Sequence, residues 1–374
     1  MKLQNISSTK LTIVFTIFAA LISSALATAG QKPRDETATI SKCWELPIEV
    51  IPAAALQSDG RRIYFASNDG VVTAIETGTG KTSWTADLGG RINSNILVRE
   101  RDVVVSTMAV GNDESAAPAT LRSLSKETGI ANWTNRIDYS DKFVLGNTGA
   151  GIVVVGSNGS AALLGANDGT TLWKRSILGM VGAPARIGGQ HIAIGLQSGE
   201  NYLLSIADGS IVSKFSTKYP AEAIAEIFGK GIVTGDTRGN LTARTASNGE
   251  RVWSFKAGAK LSFITETVYG VAAVSADNFI YLLSPENGDV IWKKRLSGRI
   301  LAEPAVSDKF FITAVYGENA LYIIDQQTGR LVNQINLPEQ ASFSQSPILV
   351  THESIAAATN SAIILWSFGP CSGQ

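Results

Sequence analysis

A short motif that recurs about every 40 residues, a period in the range of known structural repeats, constrains this chain more than any other feature. It consists of a short polar residue, a glycine, three further residues and a tryptophan. The copies are GKTSW ending at Trp84, GIANW at Trp133, GTTLW at Trp173, GERVW at Trp253 and GDVIW at Trp292, with GSIVS ending at Ser213 and GRLVN ending at Asn333 as copies without the tryptophan. Such spacing is typical of solenoids and propellers.

Each repeat is predicted to form four short antiparallel strands. In residues 151–176 a strand rich in valine, the turn SNG, a strand of alanine and leucine, the turn NDG and the tryptophan strand follow one another. Asn-Gly and Asp-Gly supply the positive φ angles that a two-residue hairpin needs. The recurring glycine is therefore expected in a hairpin turn.

We call the last residue of each copy its anchor. An eighth anchor indicates how the series of repeats closes on itself. Trp44 precedes Trp84 by one period of the repeat, but Ile40 stands where the glycine would be. At the other end, residues 354–359 and 362–368 form two predicted strands that no tryptophan strand follows. The N-terminal strand is expected to complete their sheet. The sequence thus predicts an all-β, eight-bladed β-propeller of four-stranded antiparallel blades over residues 42–370, closed by its N- and C-terminal strands.

The tryptophans are predicted to pack between adjacent blades, where a large flat side chain fills the wedge. This set comprises Trp44, Trp84, Trp133, Trp173, Trp253 and Trp292. At Ser213 and Asn333 we expect looser joints or substitution by Phe215 and Ile335.

The first residues differ from the rest. Lys2 and Lys10 precede an apolar run, residues 11–26, and small residues follow it. This pattern predicts a cleaved signal peptide over residues 1–29, an N-terminal extension over residues 30–41, and a periplasmic or secreted protein. The alternative is an uncleaved membrane anchor. No cysteine stands directly after the run, so a lipid-modified N-terminus is not indicated.

The two cysteines, Cys43 and Cys371, lie near the two ends of the mature chain. In an oxidising compartment such a pair is expected to form a disulfide beside the seam of the ring. Two unpaired buried thiols are the alternative.

Composition and motifs argue against several functions. Basic and acidic residues balance at 32 each without a block of like charge, so a nucleic-acid partner is not expected. The two histidines, His191 and His352, fall in or beside strands of different blades and are interpreted as structural residues. The glycine-rich turns open strands instead of helices and are therefore not phosphate loops. An acid and base pair of Asp and Glu stays open, because its spacing in space is not visible in the sequence.

Two features of the sequence predict a binding role. Seven residues after an anchor, three linkers carry the cations Arg91, Lys260 and Arg299. These linkers lead to the innermost strand of the next blade, so their cations are predicted to rim the channel mouth and bind an acidic peptide or a small anion. Solvated rim charges are the alternative, and Glu266 and Glu303 would partly neutralise the site.

The second feature is the longer second repeat, which ends at Trp133. Its extra residues fall in residues 109–120, which include Asn112, Asp113 and Glu114. This loop is predicted on the same face as the cationic linkers, either as a partner-binding loop or as a tolerated insertion.

The motif of Asp, Asn or Thr, glycine, three residues and tryptophan resembles the PQQ-like repeat β-propeller family over residues 42–370. In that family the quinoprotein dehydrogenases bind pyrroloquinoline quinone and calcium, and they use a disulfide of adjacent cysteines and a catalytic Asp. This chain has no adjacent cysteine pair, and its repeats lack large insertions. It is therefore more similar to the non-enzymatic BamB-type branch, which acts in outer-membrane assembly, although it lacks that branch's lipoprotein cysteine.

The resemblance implies an exported, non-catalytic scaffold for protein-protein interaction in the cell envelope, with no cofactor. It is expected to act as a monomer within a larger assembly, without stable membrane insertion of the mature chain. A protein partner would dock on the loops or add a strand to an outer blade edge. The alternative is a quinoprotein-like or carbohydrate-acting enzyme with its site in the channel.

Overall fold

The structure is a computed structural model that describes residues 39–109, 118–138, 140–227, 231–300, 303–316, 318–338 and 341–371. Within these residues all regular secondary structure is β-strand, arranged in eight antiparallel sheets. This architecture confirms the predicted all-β class and the eight four-stranded blades. The predicted signal peptide lies outside the described residues.

The strands follow the repeat, with the first strand set apart from the others. The chain begins with β1 (Ser41–Pro47). Blade 1 contains β2 (Gln57–Ser58), β3 (Arg62–Ala66), β4 (Val71–Glu76) and β5 (Thr82–Asp87). Blade 2 contains β6 (Arg91–Ile92), β7 (Leu97–Val98), β8 (Asp102–Met108), β9 (Ala119–Ser125) and β10 (Ala131–Ile137), and its innermost strand is split because β6 and β7 both pair with β8. Blade 3 contains β11 (Phe143–Thr148), β12 (Gly151–Gly156), β13 (Ser160–Leu164) and β14 (Thr171–Ser176).

The same order continues through the second half. Blade 4 contains β15 (Val181–Gly188), β16 (His191–Leu196), β17 (Glu200–Ser205) and β18 (Ile211–Ser216). Blade 5 contains β19 (Ala221–Ile227), β20 (Gly231–Asp236), β21 (Asn240–Thr245) and β22 (Arg251–Lys256). Blade 6 contains β23 (Leu261–Thr267), β24 (Gly270–Ser275), β25 (Phe279–Leu283) and β26 (Val290–Arg295). Blade 7 contains β27 (Ala305–Val306), β28 (Phe310–Ala314), β29 (Ala320–Asp325) and β30 (Leu331–Asn336).

Blade 8 combines both ends of the chain. It consists of β31 (Ile348–Thr351), β32 (Ser354–Ala358), β33 (Ala362–Ser367) and β1. In the β1–β33 register, Lys42 lies opposite Trp366 and Trp44 lies opposite Leu365. Cys43 and Cys371 form the predicted disulfide beside this seam, with their Cα atoms 5.4 Å apart. Closure by the two terminal strands is therefore present.

The hydrophobic core lies between consecutive blades. Every residue of β8, β12 and β24, each a second strand of its blade, is buried, because both faces of a blade pack on neighbours. One cluster joins Tyr64 and Trp84 of blade 1 to Val103 and Val105 of blade 2. Near-continuous apolar strands are what two-sided burial requires. The β-branched runs of the sequence are thus explained by position in the ring.

The recurring glycines form contacts with the tryptophans of the preceding blade. All seven have φ between 67° and 75°, as expected for a turn glycine. Each turn holds four residues between a hydrogen-bonded backbone pair, instead of the two that were expected. For six of them, an added Cβ would lie only 2.6–2.8 Å from an indole atom of the previous blade, as at Gly80 against Trp44 and Gly129 against Trp84. Five of these indoles also donate from Nε1 to a carbonyl oxygen of the same turn, at 2.6–2.9 Å. The motif therefore encodes a joint between two blades.

The two anchors without tryptophan have different explanations. At Ser213 the turn glycine of the next blade, Gly249, is covered by Phe215, as expected, with a nearest approach of 3.4 Å from the added Cβ. At Asn333 the next blade is blade 8, whose fourth strand is β1, so there is no hairpin glycine for an indole to cover. Ile335 is buried in that joint.

Candidate functional site

The antiparallel order gives the ring two faces. We call the loop face the one that carries the linkers between blades and the turns between the second and third strands of each blade. These segments contact one another, since Leu88 N donates to the Gly70 carbonyl oxygen at 3.1 Å and Ile177 N donates to that of Gly159 at 2.9 Å. The opposite face, which carries the glycine turns, we call the turn face.

The three predicted cations lie on the loop face, at the start of blades 2, 6 and 7. Arg91 Nη2 is 3.0 Å from Met108 Sδ. Lys260 Nζ is 3.5 Å from Glu222 Oε2, so its charge is neutralised locally. Within the described residues, no hydrogen bond or ion pair links Arg91, Lys260 and Arg299 to one another. Anion binding by this set stays a prediction.

The predicted binding loop of blade 2 is Asn112, Asp113 and Glu114, and these residues lie outside the described part of the chain. The flanking strands are described. β8 ends at Met108 and β9 begins at Ala119, so both ends of the insertion are on the loop face.

Apolar side chains that sequence reasoning missed are exposed on the loop face. Leu178 is 90% exposed, and Met180 in the same linker is 49% exposed. Tyr316, in the β28–β29 connection, is 72% exposed, and Ile51 is half exposed in the linker that follows β1. Met180 and Ile51 stand seven residues after Trp173 and Trp44, at the position that supplied the three cations. Apolar residues at this position of the repeat were therefore the sequence signal for exposed apolar side chains on the loop face.

The channel is crossed by an ion pair. Arg186 Nη2 of β15 lies 2.7 Å from Glu303 Oε1, which precedes β27. Blades 4 and 7 are not neighbours, so this pair spans the channel. A cavity of about 190 Å³ beside it is also lined by Glu226 and Glu266.

His191 has a structural partner. Its Nδ1 lies 2.7 Å from Glu226 Oε1 of the next blade, so the side chain joins blades 4 and 5. Across the described residues, no group of three or more His, Cys, Asp or Glu side chains is arranged to hold a metal ion. In the same residues no helix has the length and apolar character to cross a membrane.

The repeat, the glycine-tryptophan joints and the ring closed by its termini define a PQQ-like repeat β-propeller. A family model described as outer membrane protein assembly factor BamB matches residues 36–156 and 237–374, more than half of the chain. The protein belongs to this family.

Two curated relatives carry the same name. The outer membrane protein assembly factor BamB of Shewanella oneidensis is 22% identical over 306 residues, which cover 80% of this chain and 67% of the relative. That of Yersinia pestis is 19% identical over 317 residues, which cover 83% of this chain and 70% of the relative.

Solved structures support the fold. The crystal structure of BamB from Moraxella catarrhalis superposes with a TM-score of 0.68 at 14% identity, covering 88% of this chain and all of that one. The computationally designed Ika8 protein superposes with a TM-score of 0.74 at 13% identity, covering 87% of this chain and 99% of that one. At these identities the likeness concerns the fold alone.

Proposed function

We propose that this protein is an exported, non-catalytic scaffold that binds a protein partner through its loop face during outer membrane protein assembly. Membership of a family described as an outer membrane protein assembly factor supports the process. The observation that carries the docking surface is Leu178, a large aliphatic side chain almost wholly exposed two residues before the half-exposed Met180.

Burial of these side chains by a partner would be favourable. Covering one leucine removes enough apolar surface to contribute about 1.5–3 kcal/mol. Interfaces concentrate their binding energy in a few well-packed residues that exclude water, and polar residues surround them at the rim. The cations Arg91 and Arg299, on the same face, fit the role of rim charges.

Two features support export to the periplasm. The disulfide between Cys43 and Cys371 belongs in an oxidising compartment. The sequence pattern of residues 1–29 is that expected of a secretory signal. A saturable change in quinone absorbance on addition of pyrroloquinoline quinone and calcium would contradict the non-catalytic part of the proposal.

The proposal is tested by complementation. In a strain of the source organism that lacks this protein, the wild-type chain and the variants Leu178→Asp and Ile130→Asp are compared by the amount of folded outer membrane protein. Ile130 is the matched control, because it is 70% exposed but follows the Gly129 turn on the turn face. We expect Leu178→Asp to lose complementation and Ile130→Asp to retain it. Equal complementation by both variants at equal expression would overturn the loop-face assignment.

A further inference from the structure

Two arginines oppose each other in the last hairpin of blade 5. In the register of β21 and β22, Arg244 lies opposite Arg251. Like charges directly opposite on neighbouring strands destabilise a hairpin. Among the described residues, no salt bridge to either guanidinium group is formed. The hairpin therefore holds two positive charges without an ion-pair partner in the described chain.

Arg244 occupies a position that is apolar in every other blade. This position lies nine residues before the tryptophan anchor, or the residue that replaces it, in blades 1 to 7. In the other six of these blades it is a fully buried aliphatic residue: Ile75, Leu124, Leu164, Leu204, Leu283 and Ile324. In blade 8 the pairing register gives the equivalent residue as Trp366, which is also buried.

Packing does not require a charge at this position. The joint between blades 4 and 5 lacks an indole because the anchor is Ser213, and the joint between blades 7 and 8 lacks one because the anchor is Asn333. In the second joint the apolar side chain of Trp366 packs with Ile335 and fills the space. An apolar residue of suitable size is thus sufficient, and the guanidinium of Arg244 needs another explanation.

The surroundings of Arg244 leave part of its donor capacity unused. Its Cζ lies 4.7 Å from the centre of the Phe215 ring of blade 4, and its Nη1 donates to the Gly249 carbonyl oxygen at 2.9 Å. Its Nε is buried and has no hydrogen-bond partner. Burial, followed by the nearby charge of Arg251, lowers the pKa of Arg244 below its ordinary value. A buried donor without an acceptor costs about 1–3 kcal/mol.

We propose that Arg244 and Arg251 form a binding site for an oxyanion, the carboxylate or phosphate group of a ligand, at the joint between blades 4 and 5. An oxyanion between the two guanidinium groups would compensate both charges and accept from N–H donors of Arg251 and from Nη2 of Arg244, and arginine favours such contacts with carboxylate and phosphate groups. Arg251 is exposed and Arg244 is half-buried, so the site opens to solvent on the turn face. It is separate from the loop face and does not depend on the proposed function.

The test measures stabilisation of the full chain by simple oxyanions. The thermal unfolding midpoint is followed against added inorganic phosphate and, separately, acetate, with sodium chloride holding the ionic strength constant. We expect a saturable rise with at least one of the two oxyanions, and the stronger response identifies the preferred group. The absence of any rise beyond that in sodium chloride would overturn the proposal.

Three variants assign the response to the site. Arg244→Leu installs the side chain that four other blades use at this position, so it is expected to fold and to lose the response by at least tenfold in apparent affinity. Arg251→Thr installs the residue of the equivalent positions Thr82 and Thr171 at an exposed site, and it should lose the response as well. Arg295→Thr, an exposed arginine of blade 6, should respond as the wild type does. An undiminished response in both Arg244→Leu and Arg251→Thr would contradict the assignment, and Arg251→Thr alone decides if Arg244→Leu does not fold.

Discussion

The indole of Trp44, on the N-terminal strand that closes the ring, lies against Gly80 of blade 1. A Cβ added to Gly80 would fall 2.8 Å from the Cδ2 atom of Trp44, and Trp44 Nε1 donates to the Thr77 carbonyl oxygen at 2.7 Å. Trp44 belongs to β1, the N-terminal strand of blade 8, whereas Gly80 belongs to blade 1. The contact is therefore the same joint that links successive blades, here made by the strand that closes the ring.

This relationship predicts a sharp difference between two glycines of one turn. Gly80→Ala would place a methyl group inside the indole contact at a φ of 67°, so we expect it to lower the free energy of unfolding by on the order of 3 kcal/mol. The control is Gly78→Ala, because no atom lies within 4 Å of an added Cβ there. Guanidinium unfolding of both variants provides the measurement, and equal stability of the two would show that the Trp44 contact does not constrain the turn.

The disulfide is predicted to hold the seam. It connects residues 328 apart in sequence, so it restricts the unfolded chain strongly and contributes roughly 2–5 kcal/mol. Reduction should lower the thermal unfolding midpoint of the wild-type protein. A double variant, Cys43→Ser with Cys371→Ser, should start at the lower midpoint and not respond to reductant. A wild-type midpoint that stays constant while both thiols become titratable would disprove this role.

A carboxylate between blades 1 and 2 predicts a pH dependence of stability. Asp59 Oδ2 lies 2.7 Å from Lys126 Nζ and accepts from the Tyr64 hydroxyl at 3.0 Å. Burial alone raises the pKa of Asp59, but the hydrogen bonds from Lys126 and from the backbone of Arg62 outweigh it and leave the pKa lowered. Its contribution is therefore full above the unfolded-state pKa of about 3.9 and is lost as the pH falls through the folded-state value.

Asp59→Asn should accordingly destabilise the protein by about 1–3 kcal/mol at neutral pH, and this difference should shrink as the pH falls below about 4. Urea unfolding across this pH range measures the effect. Asp308→Asn, at an exposed position, is the control and should change the stability by less than about 0.5 kcal/mol. A difference between wild type and Asp59→Asn that grows on acidification would contradict the expected sign.

The sequence predicted the ring because a repeat multiplies a weak local signal. One glycine four residues before a tryptophan indicates little, but seven spaced copies specify the unit, and Trp44 specifies the closure. The pairing of each tryptophan with the glycine of the following blade was not predictable, because both residues belong to the same motif and the sequence does not show which copies meet.

The surfaces were less predictable than the core. The repeat position seven residues after the motif's last residue carries a cation at Arg91, Lys260 and Arg299. At Met180 and Ile51 it carries an apolar side chain whose exposure the sequence does not show. The ion pair between Arg186 and Glu303 joins segments 117 residues apart in sequence, and no local pattern relates them. Such long-range contacts depend on the curvature of the ring, which sequence spacing alone does not give.

Site-specific photo-crosslinking in the native envelope tests whether a protein docks on the loop face. A photoreactive residue is placed at position 178 or at the control position 130, and the adducts are identified by mass spectrometry after irradiation. Docking through the loop face should give a discrete adduct with an outer membrane assembly protein from position 178 and none from position 130. An adduct from position 130 alone, or no protein adduct from position 178, would contradict it.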